Sequence, residues 1–113
     1  MAAVILDGEK LAASIREGLI SEIKNLRQSN SVPHLVAVQV GENAASRIYV
    51  NQQKKACNEI GIEYELKEVP ENITEEGLLS IIEGLNNDKK VTGIILQMPL
   101  PKHVNTRKVQ RRI

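Results

Sequence analysis

A near-continuous apolar run, LVAVQV at residues 35–40, narrows the fold class of this chain more than any other segment. A strand that is apolar at almost every position is typical of a parallel sheet covered on both faces. Helical patterns flank this run: apolar residues recur at helical spacing before residue 29, and a second helix is predicted over residues 44–60, where Gly61 ends it. A buried strand between two helices predicts an α/β fold.

The first of these helices is predicted to follow a short strand, AVIL at residues 3–6, which Asp7 and Gly8 close. Its apolar residues lie near helical spacing and predict one buried stripe. The stripe consists of Leu11, Ile15, Leu19, Ile23 and Leu26.

The second half of the chain continues the alternation of strands and helices. Residues 62–69 alternate apolar and charged side chains, which indicates a half-exposed strand near a sheet edge. A third helix is predicted after Thr74, and VTGIIL at residues 91–96 is a further apolar strand. With 113 residues, the chain is long enough for one core. We therefore expect a single domain over residues 1–113, a three-layer α/β/α fold with a mainly parallel sheet.

Composition excludes several classes of partner. The formal net charge is +1, and Phe and Trp are absent, so aromatic platforms for nucleic acid are not available. The basic residues after position 101 are interpreted as a solvated tail or as a phosphate-contacting patch. They are Lys102, Arg107, Lys108, Arg111 and Arg112. We expect neither a nucleic-acid partner nor a membrane partner, since no stretch is long and apolar enough to span a bilayer.

The two histidines and the one cysteine predict neither a metal site nor an internal disulfide. His34 and His103 lie far apart in the sequence without Cys or acidic neighbours at ligand spacing, so no metal is expected. Cys57 is the single cysteine, which suits a reducing compartment. The amino terminus does not have the pattern of a signal or transit peptide. The expected location is the cytoplasm, or the mitochondrial matrix for a mature organellar form.

Two loops are candidates for a binding site, because ligands of parallel sheets bind at the carboxyl ends of the strands. GENAAS follows the buried strand at 35–40, and QMPLP follows the strand at 91–96. Ser46, Tyr49 and Gln53 share one face of the helix that begins in the first loop. The alternative is that Tyr49 only covers the core edge and that its polar neighbours form an ordinary solvated surface.

The second loop offers an amide at the tip of a strand. Gln97 can present a donor and an acceptor to a heterocycle, and Pro99 and Pro101 make the adjoining wall rigid. The alternative is a proline-rich strand terminator with an exposed amide. The residues alone leave both interpretations open.

Five short segments follow one another across nearly the whole chain, in the order ILDG, VGENAASRIYV, KKACNEIGI, VTGIILQMPLP and KHVN. Together they resemble the amino-terminal, folate-binding part of the bifunctional methylenetetrahydrofolate dehydrogenase/methenyltetrahydrofolate cyclohydrolase family. The resemblance implies a tetrahydrofolate derivative as ligand, bound between the two loops. The substrate-binding residues it implies are Ser46, Tyr49, Val50, Asn51, Gln52, Gln53, Leu96, Gln97, Met98 and Pro99.

The resemblance also implies a nicotinamide cofactor and an assembly state. Full-length members use NADP or NAD, held by a dinucleotide-binding domain that lies outside this sequence, so we expect no cofactor site within residues 1–113. No metal is implied. Family members commonly form dimers, so a homodimer is a further expectation.

The chain departs from the family pattern at one position. The pattern Ser-x-x-Tyr-Val-x-x-Lys-x-Lys-Ala places a catalytic lysine one turn after the tyrosine, where this chain has Gln53. Lys54 does not replace it, because adjacent residues lie about 100° apart around a helix. The resemblance makes Tyr49 and Gln53 the catalytic positions, with impaired activity expected. The competing hypothesis is a non-catalytic interaction domain that retained the fold.

Overall fold

The computed structural model describes residues 2–113, which form an alternating series of helices and strands. The elements are α1 (Gly8–Gln28), β1 (His34–Val40), α2 (Ala44–Ile60), β2 (Glu63–Val69), α3 (Glu75–Asn87), β3 (Gly93–Leu96) and α4 (Thr106–Gln110). Within the described residues, no helix is long and apolar enough to cross a membrane.

The three strands form one parallel sheet in the order β2-β1-β3. The central strand β1 is buried from Val36 to Val40, as its apolar run predicts. The edge strand β2 alternates between exposed and partly buried residues over most of its length, which confirms the prediction of a half-exposed edge strand. The mixed α/β fold with a parallel sheet is thus confirmed.

Helices cover both faces of the sheet. On one face, Val36 and Val38 of β1 pack in a core cluster with Leu78 and Ile82 of α3, and all four are fully buried. Val109 of α4 belongs to the same cluster. On the other face, α2 packs against β2. Alternate β1 residues, beginning with Leu35 and Ala37, point toward α2 because side chains alternate along a strand.

The ends of α2 are fixed by local sequence. The Asn43 side chain accepts hydrogen bonds from the backbone N–H groups of Ala45 and Ser46 at 3.0 and 3.2 Å, which caps the helix start. Gly61 ends the helix in a left-handed conformation, with φ of 94°. The predicted bounds of this helix are therefore confirmed.

Two predictions for the amino-terminal region are wrong. Residues 3–6 do not form a strand, and Val4, Ile5 and Leu6 are at least 85% exposed. An apolar run becomes a strand only where it pairs with a sheet edge, and within residues 2–113 the sheet contains only β2, β1 and β3. The apolar stripe of α1 is also mostly unburied: Ile23 is buried, whereas Leu11 and Ile15 are exposed.

The basic carboxyl-terminal segment is folded rather than a free tail. Val104 and Val109 are buried, and Lys108 pairs with Glu75 of α3 at 3.5 Å. The arginines of the segment remain exposed. The apolar residues between the basic ones anchor the segment, which the charge pattern alone did not indicate.

Candidate functional site

The two predicted loops meet at one cleft of about 540 Å³. One wall is the first half of α2 with its preceding turn, and the other is the end of β3 with the loop that follows. The cleft is lined by Asn43, Ala45, Ser46, Tyr49, Gln53, Ile95, Leu96, Gln97, Met98 and Pro99. Parallel strands bring these segments together because their carboxyl ends share one edge of the sheet.

Two hydrogen bonds join the walls of the cleft. The Ser46 hydroxyl donates to the Met98 carbonyl at 2.9 Å, and Gln97 Nε2 donates to Gln53 Oε1 at 2.8 Å. Ser46 and Gln97 are both buried. The backbone N–H of Gln97 also donates to the Val38 carbonyl at 2.9 Å. This bond extends the pairing of β3 with β1 and fixes the position of the Gln97 backbone, from which the side-chain amide projects.

Tyr49 is exposed in the cleft wall, with 59% of its surface accessible. It lies one turn before Gln53 on the same helix face, as its spacing predicts. A half-exposed phenol offers both a ring face and a hydroxyl to a ligand. The aromatic ring and the Gln97 amide therefore belong to one concave surface.

A contact that the sequence did not predict comes from β2. The Tyr64 hydroxyl donates to Gln53 Oε1 at 3.0 Å, so the Gln53 oxygen accepts two hydrogen bonds. Tyr64 reaches α2 because it pairs in register with Leu35 of β1 and points to the same face of the sheet. Burial, and to a lesser degree the Cys57 thiol, raises the pKa of Tyr64. The phenol is therefore protonated, and a donor, at neutral pH.

Not all residues of the candidate set lie at the cleft. Val50 is buried in the interior, and Asn51 and Gln52 are exposed on other faces of α2. Lys54 and Lys55 are exposed and do not line the cleft. Helical geometry brings only every third or fourth residue of α2 to this surface.

The chemistry of the cleft is neutral. Of its lining residues, none is a carboxylate, an imidazole or an ammonium group. Within residues 2–113, no three His, Cys, Asp or Glu side chains are grouped to hold a metal ion. The arrangement can bind a flat, polar, uncharged ring by hydrogen bonds and by contact with Tyr49, but no side chain in its wall is a ready proton carrier.

Comparison with known proteins adds an independent line of evidence. The family model described as "Tetrahydrofolate dehydrogenase/cyclohydrolase, catalytic domain" matches residues 6–113. The chain is 47% identical over 109 residues to the bifunctional protein FolD of Acetivibrio thermocellus, and 44% identical over 113 residues to that of Bacillus cereus. These matches cover 96% and 100% of this chain but 38% and 40% of the relatives, so the chain spans about two-fifths of their length.

Solved structures agree with the sequence matches. The bifunctional FolD methylenetetrahydrofolate dehydrogenase/cyclohydrolase of Campylobacter jejuni superposes with a TM-score of 0.95 at 38% identity, over 99% of this chain and 40% of that one. The Trypanosoma brucei enzyme, solved with NADP cofactor and an inhibitor, gives a TM-score of 0.86 at 30% identity, over 100% of this chain and 39% of that one. Since the family match extends over nearly all of the chain, this protein belongs to the tetrahydrofolate dehydrogenase/cyclohydrolase family.

Proposed function

We propose that this chain forms the folate-binding part of a one-carbon enzyme and that its ligand is a tetrahydrofolate derivative. The observation that carries the proposal is that Tyr49, Gln53 and Gln97 line one uncharged cleft. A pteridine ring is flat and carries donors and acceptors along its edge, which suits one aromatic side chain and two amides. Pro99 completes the wall beside Gln97.

The reaction sequence proposed for the longer protein has two steps. The first oxidises 5,10-methylenetetrahydrofolate to the methenyl form with NADP or NAD, and the second hydrolyses the methenyl form to 10-formyltetrahydrofolate. In the first step, the task of the cleft is to align the substrate. In the second, a water must be activated and protons must move, which requires a group with an accessible pKa.

Gln53 therefore affects the two steps unequally. Its amide can hold a ligand by hydrogen bonds but cannot transfer protons near neutral pH. The lost acid/base assistance is about 10²–10⁴-fold, so the cyclohydrolase step is the more impaired. Equal hydrolysis rates in a full-length protein with Gln53 and in its Gln53→Lys variant would contradict this part of the proposal.

The turn from β1 to α2 does not fit the pyrophosphate of a nicotinamide dinucleotide. The turn from β1 to α2 contains one glycine, Gly41, rather than a glycine-rich phosphate loop, and Glu42 follows it. The Glu71 side chain packs where a Gly41 side chain would lie, with its Cβ 3.1 Å from that position. A pyrophosphate would meet two carboxylates there, so no step is assigned to the cofactor within this chain.

A ligand titration tests the proposal. Calorimetry with 5-formyltetrahydrofolate, a stable reduced folate, should give saturable binding to the wild-type chain. Tyr49→Ala should weaken the affinity about 5- to 150-fold, which is the range for loss of one aromatic stacking contact. Ile48→Ala is the matched control, since Ile48 is the exposed neighbour of Tyr49 and does not line the cleft. Absence of wild-type binding, or equal affinity of the Tyr49→Ala variant, would overturn the proposal.

One observation favours a second candidate, a non-catalytic domain that assembles with a relative or with another copy. Ile5, Leu6 and Leu11 are exposed and line an apolar cleft of about 490 Å³ beside the start of α1. Large exposed apolar patches mark interaction surfaces. A molar mass that rises with protein concentration, together with no folate binding, would support assembly over catalysis.

We propose the cytoplasm as the location, which suits the free thiol of Cys57.

A further inference from the structure

The amide of Gln53 is held in one orientation by two donors. Its oxygen accepts from the Tyr64 hydroxyl at 3.0 Å and from Gln97 Nε2 at 2.8 Å. An amide oxygen has two lone pairs, so these bonds fill its usual acceptor capacity. The oxygen is thus turned toward β2 and β3.

The nitrogen of the same amide is left for a ligand. Among residues 2–113, Gln53 Nε2 makes no hydrogen bond, and no buried side-chain nitrogen or oxygen there lacks a partner. Gln53 Nε2 must therefore be accessible, and Gln53 lines the cleft. By the same reasoning, the oxygen of Gln97 is not fully enclosed, although the residue as a whole is buried, since only its nitrogen is engaged. The cleft presents an N–H donor beside a carbonyl acceptor.

The reverse arrangement is disfavoured by the Tyr64 hydroxyl. If both amides were turned over, Gln53 would direct its NH2 group at Tyr64 and at the oxygen of Gln97. The phenolic oxygen could accept from that NH2 group, but the phenolic hydrogen would lose its acceptor, which is costly for a partly buried donor. The ordinary phenol pKa of 10.0 already keeps Tyr64 protonated at neutral pH, and burial raises that pKa further, so this constraint holds under physiological conditions.

We propose that Tyr64 is a positioning residue that sets the polarity of the cleft, so that position 53 donates and position 97 accepts. The inference rests on the proposed folate-binding function and specifies the ligand further: its recognised edge carries a hydrogen-bond acceptor next to a donor, as in a cyclic amide. A lysine, which the family resemblance implies at position 53, is also a donor only. The pair of Gln53 and Tyr64 keeps the donor polarity of that position without its proton-transfer capacity.

The first test needs no ligand. In an isotope-labelled chain, the side-chain NH2 resonances of Gln53 and Gln97 should shift in the Tyr64→Phe variant, because phenylalanine keeps the ring and removes the hydroxyl. The NH2 resonances of the exposed Gln52 serve as an internal control and should not move. Unchanged Gln53 resonances would overturn the inference, whether or not the chain binds folate.

The second test measures how Tyr64 affects the affinity for 5-formyltetrahydrofolate. Tyr64→Phe should weaken binding between about 2-fold, if both amide orientations become equally populated, and about 10-fold, if one net hydrogen bond is lost as well. The loss should disappear in a Gln53→Lys background, because a lysine at position 53 is a donor in any orientation. An equal loss in both backgrounds would show a merely structural role and overturn the inference.

A third variant covers the case in which Tyr64→Phe does not fold. Gln53→Glu keeps two acceptor oxygens for Tyr64 and Gln97 but has no N–H to offer to the cleft. It should weaken folate binding at least as much as Tyr64→Phe does, about 10-fold or more. Affinity equal to that of the wild type would refute the donor role of position 53. A wild-type chain that does not bind folate would instead refute the proposed function, while the resonance test would still decide the role of Tyr64.

Discussion

Replacing Ser46 by alanine removes one of the two hydrogen bonds that join the walls of the cleft. The hydroxyl donates to the Met98 carbonyl at 2.9 Å from a side chain that is only 7% exposed. The substitution removes a single oxygen atom and leaves the helix start intact, because the Asn43 cap bonds to the backbone of Ser46 and not to its side chain. The change in the free energy of unfolding therefore measures the hydrogen bond between the two walls of the cleft.

The expected loss follows from three contributions. A lost hydrogen bond costs about 0.5–1.5 kcal/mol net, and a carbonyl left without a partner adds up to about 1–3 kcal/mol when it is fully dry. Met98 is 40% exposed, so water can reach its surroundings and the second contribution is small. Alanine has the higher helix propensity, which returns up to about 0.5 kcal/mol. The net destabilisation is about 1 kcal/mol, or roughly 4–8 °C in Tm for a domain of this size.

Urea unfolding with circular dichroism measures this loss, and Ser80→Ala provides the matched control. Ser80 is exposed on α3 and makes no side-chain hydrogen bond within residues 2–113, so its replacement should change stability by less than about 0.5 kcal/mol. The denaturant midpoint of Ser46→Ala should fall with no change of slope. Coincident unfolding curves for the two variants would refute the assignment of a structural role to the Ser46–Met98 bond.

Two further predictions concern the helix end and the buried phenol. Gly61→Ala should destabilise the fold by about 1–2 kcal/mol in thermal unfolding, because φ is 94° and a Cβ would lie 3.2 Å from Ile23. Gly84→Ala should instead stabilise α3 by about 0.5–1 kcal/mol, because no atom of residues 2–113 lies within 4 Å of the new Cβ. The reverse ranking would contradict the structure. In a Tyr49→Phe background, ultraviolet absorbance reports ionisation of Tyr64 alone, with its midpoint above the ordinary value of 10.0 because burial raises the pKa. The pKa of Tyr64 is higher in the folded state than in the unfolded state, so its contribution to stability is complete below pH 10.0 and is lost as the pH rises through the folded pKa. A titration midpoint at or below 10.0 would contradict the burial of Tyr64.

The elements that local pattern determines were predictable from the sequence. α2 was predicted over residues 44–60 because Gly61 marks its end, and β1 was recognised because burial on both faces leaves an apolar run. The meeting of the two loops followed from strand direction alone. These features need no knowledge of distant contacts.

The features that depend on distant partners were not predictable in this way. The run at residues 3–6 has the composition of a strand but does not pair with β1, β2 or β3, and composition does not report pairing. The contact from Tyr64 to Gln53 depends on the register of β2 against β1, which alternation along β2 does not reveal.

The bonds between the cleft walls join residues that are distant along the chain. Ser46 and Met98 are 52 positions apart, and Gln53 and Gln97 are 44 apart, with β2 and α3 between them. The cleft therefore assembles only when β3 has docked on β1, late in any folding sequence that forms local contacts first. A molecule bound there draws its affinity from the complete domain, so it should slow amide hydrogen exchange throughout the sheet and not only beside the ligand.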